Sequence, residues 1–309
     1  MKKKYIVFHI DGGQGKNIAA TAVVEAMKKK YPEHDILIIT AWEEVWFNNP
    51  NVFRIFKFGS LPYFYEDYIN NDDVEDLILF RHDVYFHPDQ ILEKQQIIQN
   101  WCDMFDIPYD GELPKMFLTP REVQLGSEIL KLHQDKRPIF LIQTNGGAPN
   151  GNSIQSWMRD MPLDLAQETV NRYANKGYRC LHIRTETQPS LQNVESVTLP
   201  LRELYAVVLY SKVRFLVDSF VQHLCTAYQL PATVLWIGNK PHVFGYGVHD
   251  NIVSKKEHDH EFLKFSYLNK YDISGMPSQC PYNSYQDLFD YDVILKSLEK
   301  LEKAELPKA

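Results

Sequence analysis

Three short runs of this 309-residue sequence combine residue types that do chemistry on phosphates or hydroxyls. The first is Val217-Asp218-Ser219-Phe220-Val221-Gln222-His223, which follows an apolar stretch. His223 lies four residues after Ser219, so on a helix the two share a face. A hydroxyl beside unpaired helix N–H groups can hold a phosphate, and an imidazole one turn in can add a donor. A carboxylate such as Asp218 can accept from sugar or ribose hydroxyls. The same Asp218-Ser219 pair also suits a plain helix cap. The second run, residues 144–152, is dense in glycine and asparagine; Asn145, Gly146 and Gly147 read either as a turn or as a backbone cradle for an anion. The third is Asp11-Gly12-Gly13-Gln14-Gly15-Lys16. Here Asp11 reads as a turn residue ahead of Gly12 and Gly13.

These runs need strands and helices to present them. Residues 5–10 are β-forming and apolar. After the glycine turn, Ile18, Ala19, Ala22, Val23, Ala26 and Met27 recur at helical spacing. Lys28, Lys29 and Lys30 follow in the last turn, where cations suit the helix dipole, and Pro32 ends the helix. Strands are expected at 35–40 and 52–56, and helices at 88–105 and 120–133; residues 59–90 show no clear pattern. Strand, glycine turn, helix and strand open a parallel, doubly wound α/β domain. The polar segment 133–138 ends in Pro138 and marks a boundary, giving domains of 1–135 and 136–309. The second domain restarts the pattern with strands at 139–143, 179–183, 194–198, 213–217 and 232–237. Helices are expected at 162–176, 201–210 and 220–228. An amphipathic helix at 287–301 is expected to pack across the junction.

Composition limits the function. Hydrophobic residues make up 44% and charged residues 24%, which supports packed cores in both halves. The net charge is −7, and the first 135 residues carry 22 acidic against 14 basic side chains. That balance disfavours a nucleic-acid partner, since phosphate-backbone affinity comes from Lys and Arg. Cys102, Cys180, Cys225 and Cys280 show no paired spacing and read as reduced thiols. No stretch reaches the ~20 apolar residues of a membrane span, so a cytoplasmic, soluble protein is expected.

Residues 196–204 and 215–238 resemble the donor-domain signature of the heptosyltransferase-like glycosyltransferases of family 9, roughly "L-r-E-L…D-S-G-x-x-H-x-A-x-A-x-x-x-P…G". Asp218, Ser219, His223, Ala227, Pro231 and Gly238 match it. Residues 15–32 are similar to the family's N-terminal "G-D-x-x-x-t-P-a-l-x-x-L-k-x-x-y-P". The resemblance implies a GT-B fold, two Rossmann-like domains with a cleft between them, the C-terminal one binding a nucleotide sugar and the N-terminal one an acceptor. It implies inverting, metal-independent transfer of the sugar from a nucleoside-diphosphate sugar, the co-substrate, with no further cofactor. The acceptor hydroxyl would belong to a glycan or a small metabolite; a DNA base is a further option that the acidic N-terminal half disfavours. Asn145, Gly146, Gly147, Asp218, Ser219, Phe220 and His223 become donor-site candidates, with Gly12, Gly13, Gly15 and Lys16 as the acceptor or phosphate loop.

The sequence departs from the family at three places. Lys16 replaces the acid thought to activate the acceptor, which leaves Asp11 as the nearest base. Phe220 replaces a glycine, and Gln155 stands where a lysine is common. A non-catalytic nucleotide-sugar binding module and a sugar-nucleotide epimerase on the same fold are the alternatives. Gly12 to Lys16 does not make a phosphate loop of the nucleotide triphosphatases, because Ile10 and Asn17 occupy its required glycine and hydroxyl positions. His258-Asp259-His260-Glu261 reads as a solvated loop rather than a metal site. Among Trp42, Trp46, Phe47, Tyr63, Phe64, Tyr65 and Tyr68, most are expected in the core and a minority along an acceptor surface.

Overall fold

The apolar run at the N-terminus forms β1 (Lys3–Ile10), whose residues alternate between the two covered faces of a sheet. The computed structural model describes residues 2–146, 156–256 and 280–305. The chain divides into two units, Met1–Thr119 and Pro120–Ala309.

In the first unit β1 leads through the glycine turn into α1 (Gln14–Lys30), then β2 (Asp35–Thr40), β3 (Arg54–Lys57) and β4 (Val74–Phe80). All pairings are parallel and the order is β3-β2-β1-β4. Small residues let α1 bury deeply: Ala19, Ala20, Ala22, Val23 and Val24 are fully enclosed. One face of the sheet packs Tyr5, Val7, Leu37, Ile39 and Phe56 against Phe64 and Tyr68. On β1, Phe8 meets Trp101 and Phe105 edge-on.

Two expectations change here. The helix expected at 88–105 is two, α2 (Pro88–Ile91) and α3 (Ile97–Met104). Glu93 adopts φ 52°, and the Gln96 side chain accepts from Ile98 N at 2.6 Å to start α3 afresh. The region without a clear pattern contains β4. It is an edge strand with Glu75, Asp76 and Leu79 exposed, so its alternation is blurred.

The second unit comprises α4 (Pro120–Ile129), β5 (Ile139–Ile142), α5 (Leu163–Asn175), β6 (Arg179–Ile183), β7 (Glu195–Val197) and α6 (Leu201–Val208). Then come β8 (Val213–Val217), α7 (Phe220–Ala227), β9 (Thr233–Trp236), α8 (Pro241–Phe244), β10 (Asp250–Val253), α9 (Tyr285–Leu288) and α10 (Tyr291–Lys303). The six strands are parallel in the order β10-β9-β8-β5-β6-β7, a doubly wound sheet. Phe140, Phe215, Val217 and Leu235 pack against Leu165, Val170 and Tyr173 of α5 and Ile294 and Leu298 of α10. Phe140 stacks on Tyr173 at 4.2 Å.

The division falls at Thr119, earlier than the boundary expected at 135. Helix α4 belongs with α6. Glu122 accepts from Arg202 at 2.6 and 2.8 Å, Tyr210 donates to Val123 O at 2.7 Å, and Gly126 sits directly on the Ala206 backbone. The polar segment 133–138 therefore links α4 to β5 inside one unit. The terminal helix expected at the junction is α10, which packs on β8 and β9 of its own sheet.

Candidate functional site

Ligands of open α/β sheets bind beyond the carboxyl ends of the strands, where the strand order reverses. In the six-stranded sheet that reversal lies between β5 and β8. Thr144, Asn145 and Gly146 leave β5 there, and Asp218 and Ser219 leave β8. A Cβ on Gly146 would stand 2.8 Å from Asp218 O and 2.6 Å from Arg159 Cβ, so only glycine allows this approach. The segment after the 3-10 turn Ser156–Met158 ties three strand ends together. Gly238 N donates to Met158 O at 2.8 Å, Gly146 N to Asp160 Oδ1 at 2.9 Å, and Met161 N to Thr144 O at 2.7 Å. Arg159 donates to Asp218 O through Nε at 3.2 Å and Nη2 at 2.6 Å, and its Nε lies 3.4 Å from Asp218 Oδ2. Asn239 Nδ2 also donates to Asp218 Oδ2.

Asp218 is thus buried and engaged by a cation and an amide, which fixes the β8 terminus rather than leaving an open carboxylate for hydroxyls. Ser219 occupies the N-cap position of α7, yet its side chain makes no capping hydrogen bond. Phe220 is the first residue of α7 and partly exposed. His223, one turn in, is buried. Its Nδ1 lies 2.7 Å from the Tyr246 hydroxyl and its Nε2 3.3 Å from the Gln222 amide nitrogen. Burial lowers its pKa to about 4, with Asp218 opposing and Arg159 adding to the fall. Both ring nitrogens are therefore in use, and the imidazole supports α7 instead of standing open as an extra donor. Asn145 accepts from Thr144 Oγ1 at 2.8 Å, and that hydroxyl lies 2.9 Å from His182 Nε2.

In the first unit the reversal lies between β1 and β4. Gly12 has φ 94°, a left-handed backbone suited to glycine, and its carbonyl accepts from Trp42 Nε1 at 2.9 Å. Asn17 fastens the loop further. It donates to Gly13 O and accepts from Thr40 Oγ1 at 2.6 Å and Trp46 Nε1 at 3.2 Å. Helix α1 begins at Gln14, so Gly15 and Lys16 lie in its first turn and not in the loop. Lys16 is buried and donates to Asp83 Oδ1 at 2.7 Å, with its ammonium over the Tyr85 ring at 4.5 Å. Burial pushes its pKa down, opposed by Asp83 and, more weakly, by Asp11. This engagement turns Lys16 inward, away from a phosphate-loop role. Asp11 is exposed, with Oδ1 3.2 Å from His9 Nε2. His9 in turn stacks on the exposed Phe58. Of the aromatic cluster, Trp46, Phe64 and Tyr68 are core, Trp42 is half-buried, and Phe47, Tyr63 and Tyr65 are exposed.

Gly147, Gln155 and residues 258–261 lie outside the described residues. Among the described residues no group of three or more His, Cys, Asp or Glu side chains is placed to hold a metal ion. Nor is any described helix long and apolar enough to cross a membrane. Sequence reasoning missed Arg159, Asn239 and Asp83, whose partners are distant along the chain.

No protein-family model matches this chain, and no curated protein matches it by sequence. Solved structures do. A family 9 glycosyltransferase from Veillonella parvula superposes with a TM-score of 0.69 at 14% identity, covering 98% of this chain and 99% of that one. The ADP-heptose lipopolysaccharide heptosyltransferase II of E. coli gives 0.66 at 10% identity, over 97% and 98%. TibC, an iron-containing dodecameric glycosyltransferase from enterotoxigenic E. coli H10407, gives 0.63 at 11% identity, over 98% of this chain and 78% of TibC. It has also been solved in complex with ADP-D-β-D-heptose. The likeness spans both units and establishes a GT-B type fold, two Rossmann-like halves on one chain.

Proposed function

We propose that this chain is an inverting glycosyltransferase that moves a sugar from a nucleoside-diphosphate sugar to an acceptor hydroxyl without a metal ion. The observation that carries the reading is the convergence at the β5–β8 reversal. There the N-terminus of α7 with its uncommitted Ser219 hydroxyl, the backbone of Asn145 and Gly146, and the Arg159 guanidinium meet at the carboxyl ends of the strands. Helix N–H groups and a guanidinium are the donors that suit a diphosphate leaving group. They stabilise the charge that develops on it as the glycosidic bond breaks. Asp218, Asn239 and His223 hold this arrangement in place. Arg159 supplies a cation near the site despite Gln155 in place of the family's lysine. The N-terminal unit takes the acceptor and supplies a carboxylate to receive its proton. ADP-linked sugars are the first donors to try, since two of the similar proteins are described with ADP-heptose. A carbohydrate acceptor fits the acidic N-terminal unit better than nucleic acid does.

The test is thermal denaturation of the full chain with ADP, UDP, GDP, CDP and dTDP. At a hundred times Kd the right nucleotide stabilises by ~2.7 kcal/mol, and Arg159→Ala removes most of that gain. No shift with any of the five overturns the reading. Turnover then separates the alternatives. A transferase consumes donor and acceptor together, an epimerase interconverts donor sugars without an acceptor, and a binding module does neither.

A further inference from the structure

The strand-order reversal of the N-terminal sheet has a carboxylate built into it that the β1–α1 loop sequence does not reveal. Asp83 follows β4 by three residues, and β4 is the neighbour of β1. It is therefore on the far lip of the crevice that opens between these strands. Its Oδ1 accepts from the buried Lys16 ammonium at 2.7 Å and from Tyr85 N at 3.0 Å. Both contacts converge on Oδ1. Oδ2 has no partner among the described residues, and the side chain retains 25% of its exposure. Lys16 is enclosed by the Tyr85 and Trp101 rings and by Gly12, where a Cβ would touch its Cδ at 3.0 Å. Asp11 pairs with His9, whose ring stacks on Phe58 after β3, and its charge acts on Lys16 less strongly than that of Asp83.

We infer that Asp83 is the proton-accepting carboxylate of the acceptor site, with Lys16 as its positioning residue. The inference rests on the transferase reading above. The acid expected in the first turn of α1 and a cation have exchanged places: the lysine stands on the helix and the carboxylate on the facing loop. In the step, the acceptor O–H bond breaks and its proton passes to Asp83 Oδ2. The oxygen's electron pair forms the bond to the anomeric carbon. The bond from that carbon to the phosphate oxygen breaks, and its electron pair leaves on the nucleoside diphosphate. Lys16 and Tyr85 N hold Oδ1 between them and leave Oδ2 for the acceptor.

The experiment measures nucleoside diphosphate release by the full chain from ADP-, UDP-, GDP-, CDP- and dTDP-linked hexoses and ADP-D-β-D-heptose, with methyl glycosides as acceptors. Asp83→Asn keeps an Oδ1 acceptor for Lys16 and Tyr85 N but cannot take a proton. It is expected to lower kcat at least about a hundredfold while stabilisation by the free nucleotide is retained. Formate restores part of the activity of Asp83→Ala. Asp11→Asn loses at least about ten times less than Asp83→Asn on the same scale. Lys16→Met lowers kcat at least about tenfold with KM changed by less than about threefold, and Lys16→Arg restores part of the loss. A loss within threefold for Asp83→Asn, absence of formate rescue, or failure of Asp83→Asn to fold overturns the assignment and leaves the transferase reading standing. Release from none of the donors removes that reading and this inference with it.

Discussion

Mild acid should loosen the C-terminal unit through three buried histidines. His182, His223 and His249 are all enclosed, and burial lowers each from the ordinary 6.5 to about 4. Each ring also sits against a specific polar partner. His182 Nε2 lies 2.9 Å from Thr144 Oγ1, His223 Nδ1 lies 2.7 Å from Tyr246, and His249 Nε2 donates to Gln222 O at 2.9 Å. Well above pH 6.5 neither the folded nor the unfolded ring is protonated, so the shift has no effect. As pH falls below 6.5 the unfolded rings take up protons first, and unfolding gains free energy until the folded rings titrate near pH 4. At pH 5 the loss is about 2 kcal/mol per histidine, or up to roughly 6 kcal/mol together. That is a large share of the 5–15 kcal/mol (roughly) by which a folded domain is usually stable. Urea unfolding at pH 7, 6 and 5, with hydrogen exchange to resolve the two units, reads the effect. Amides of β5, β8 and β9 should lose protection before those of β1 and β2. His249→Gln keeps a donor for Gln222 O and removes one titrating ring, so it should shrink the pH 5 loss by about 2 kcal/mol. Stability that is flat from pH 7 to 5, or equal losses in both units, would refute the reasoning.

Two glycine substitutions test the packing on which the site depends. Gly146→Ala forces a Cβ to within 2.8 Å of the Asp218 carbonyl and 2.6 Å of Arg159 Cβ. It should cost about 1–3 kcal/mol and weaken nucleotide binding, read as Tm and as the shift on adding nucleotide; an unchanged Tm with unchanged binding would show that the strand ends are loose. Gly126→Ala should also destabilise, by about 1–3 kcal/mol, because its Cβ would meet the Ala206 backbone at 2.8 Å. In an unpacked helix that change stabilises by ~1 kcal/mol, so the sign of the Tm change decides whether α4 is docked on α6.

What could be read in the sequence is what lies close along the chain. Asp218, Ser219 and His223 fall within one strand-to-helix turn, so their types and spacing show both the turn and the face they share. The opening of the first sheet was readable for the same reason, since Gly12 and the apolar spacing of α1 are local signals. Strand β4 was not, because an edge strand with Glu75, Asp76 and Leu79 exposed carries no clean alternation. The chemistry around both reversal points was hidden by distance. Arg159 reaches Asp218 across 59 residues, and Lys16 meets Asp83 across 67. Lys16 shows the consequence most clearly. Read locally, a lysine in place of an acid leaves Asp11 as the nearest carboxylate; folded, the lysine is half of an ion pair whose other half is Asp83, after β4. A substitution at a site position is therefore to be judged by the pair it forms once the sheet order is known, since parallel sheets place the ends of distant strands side by side.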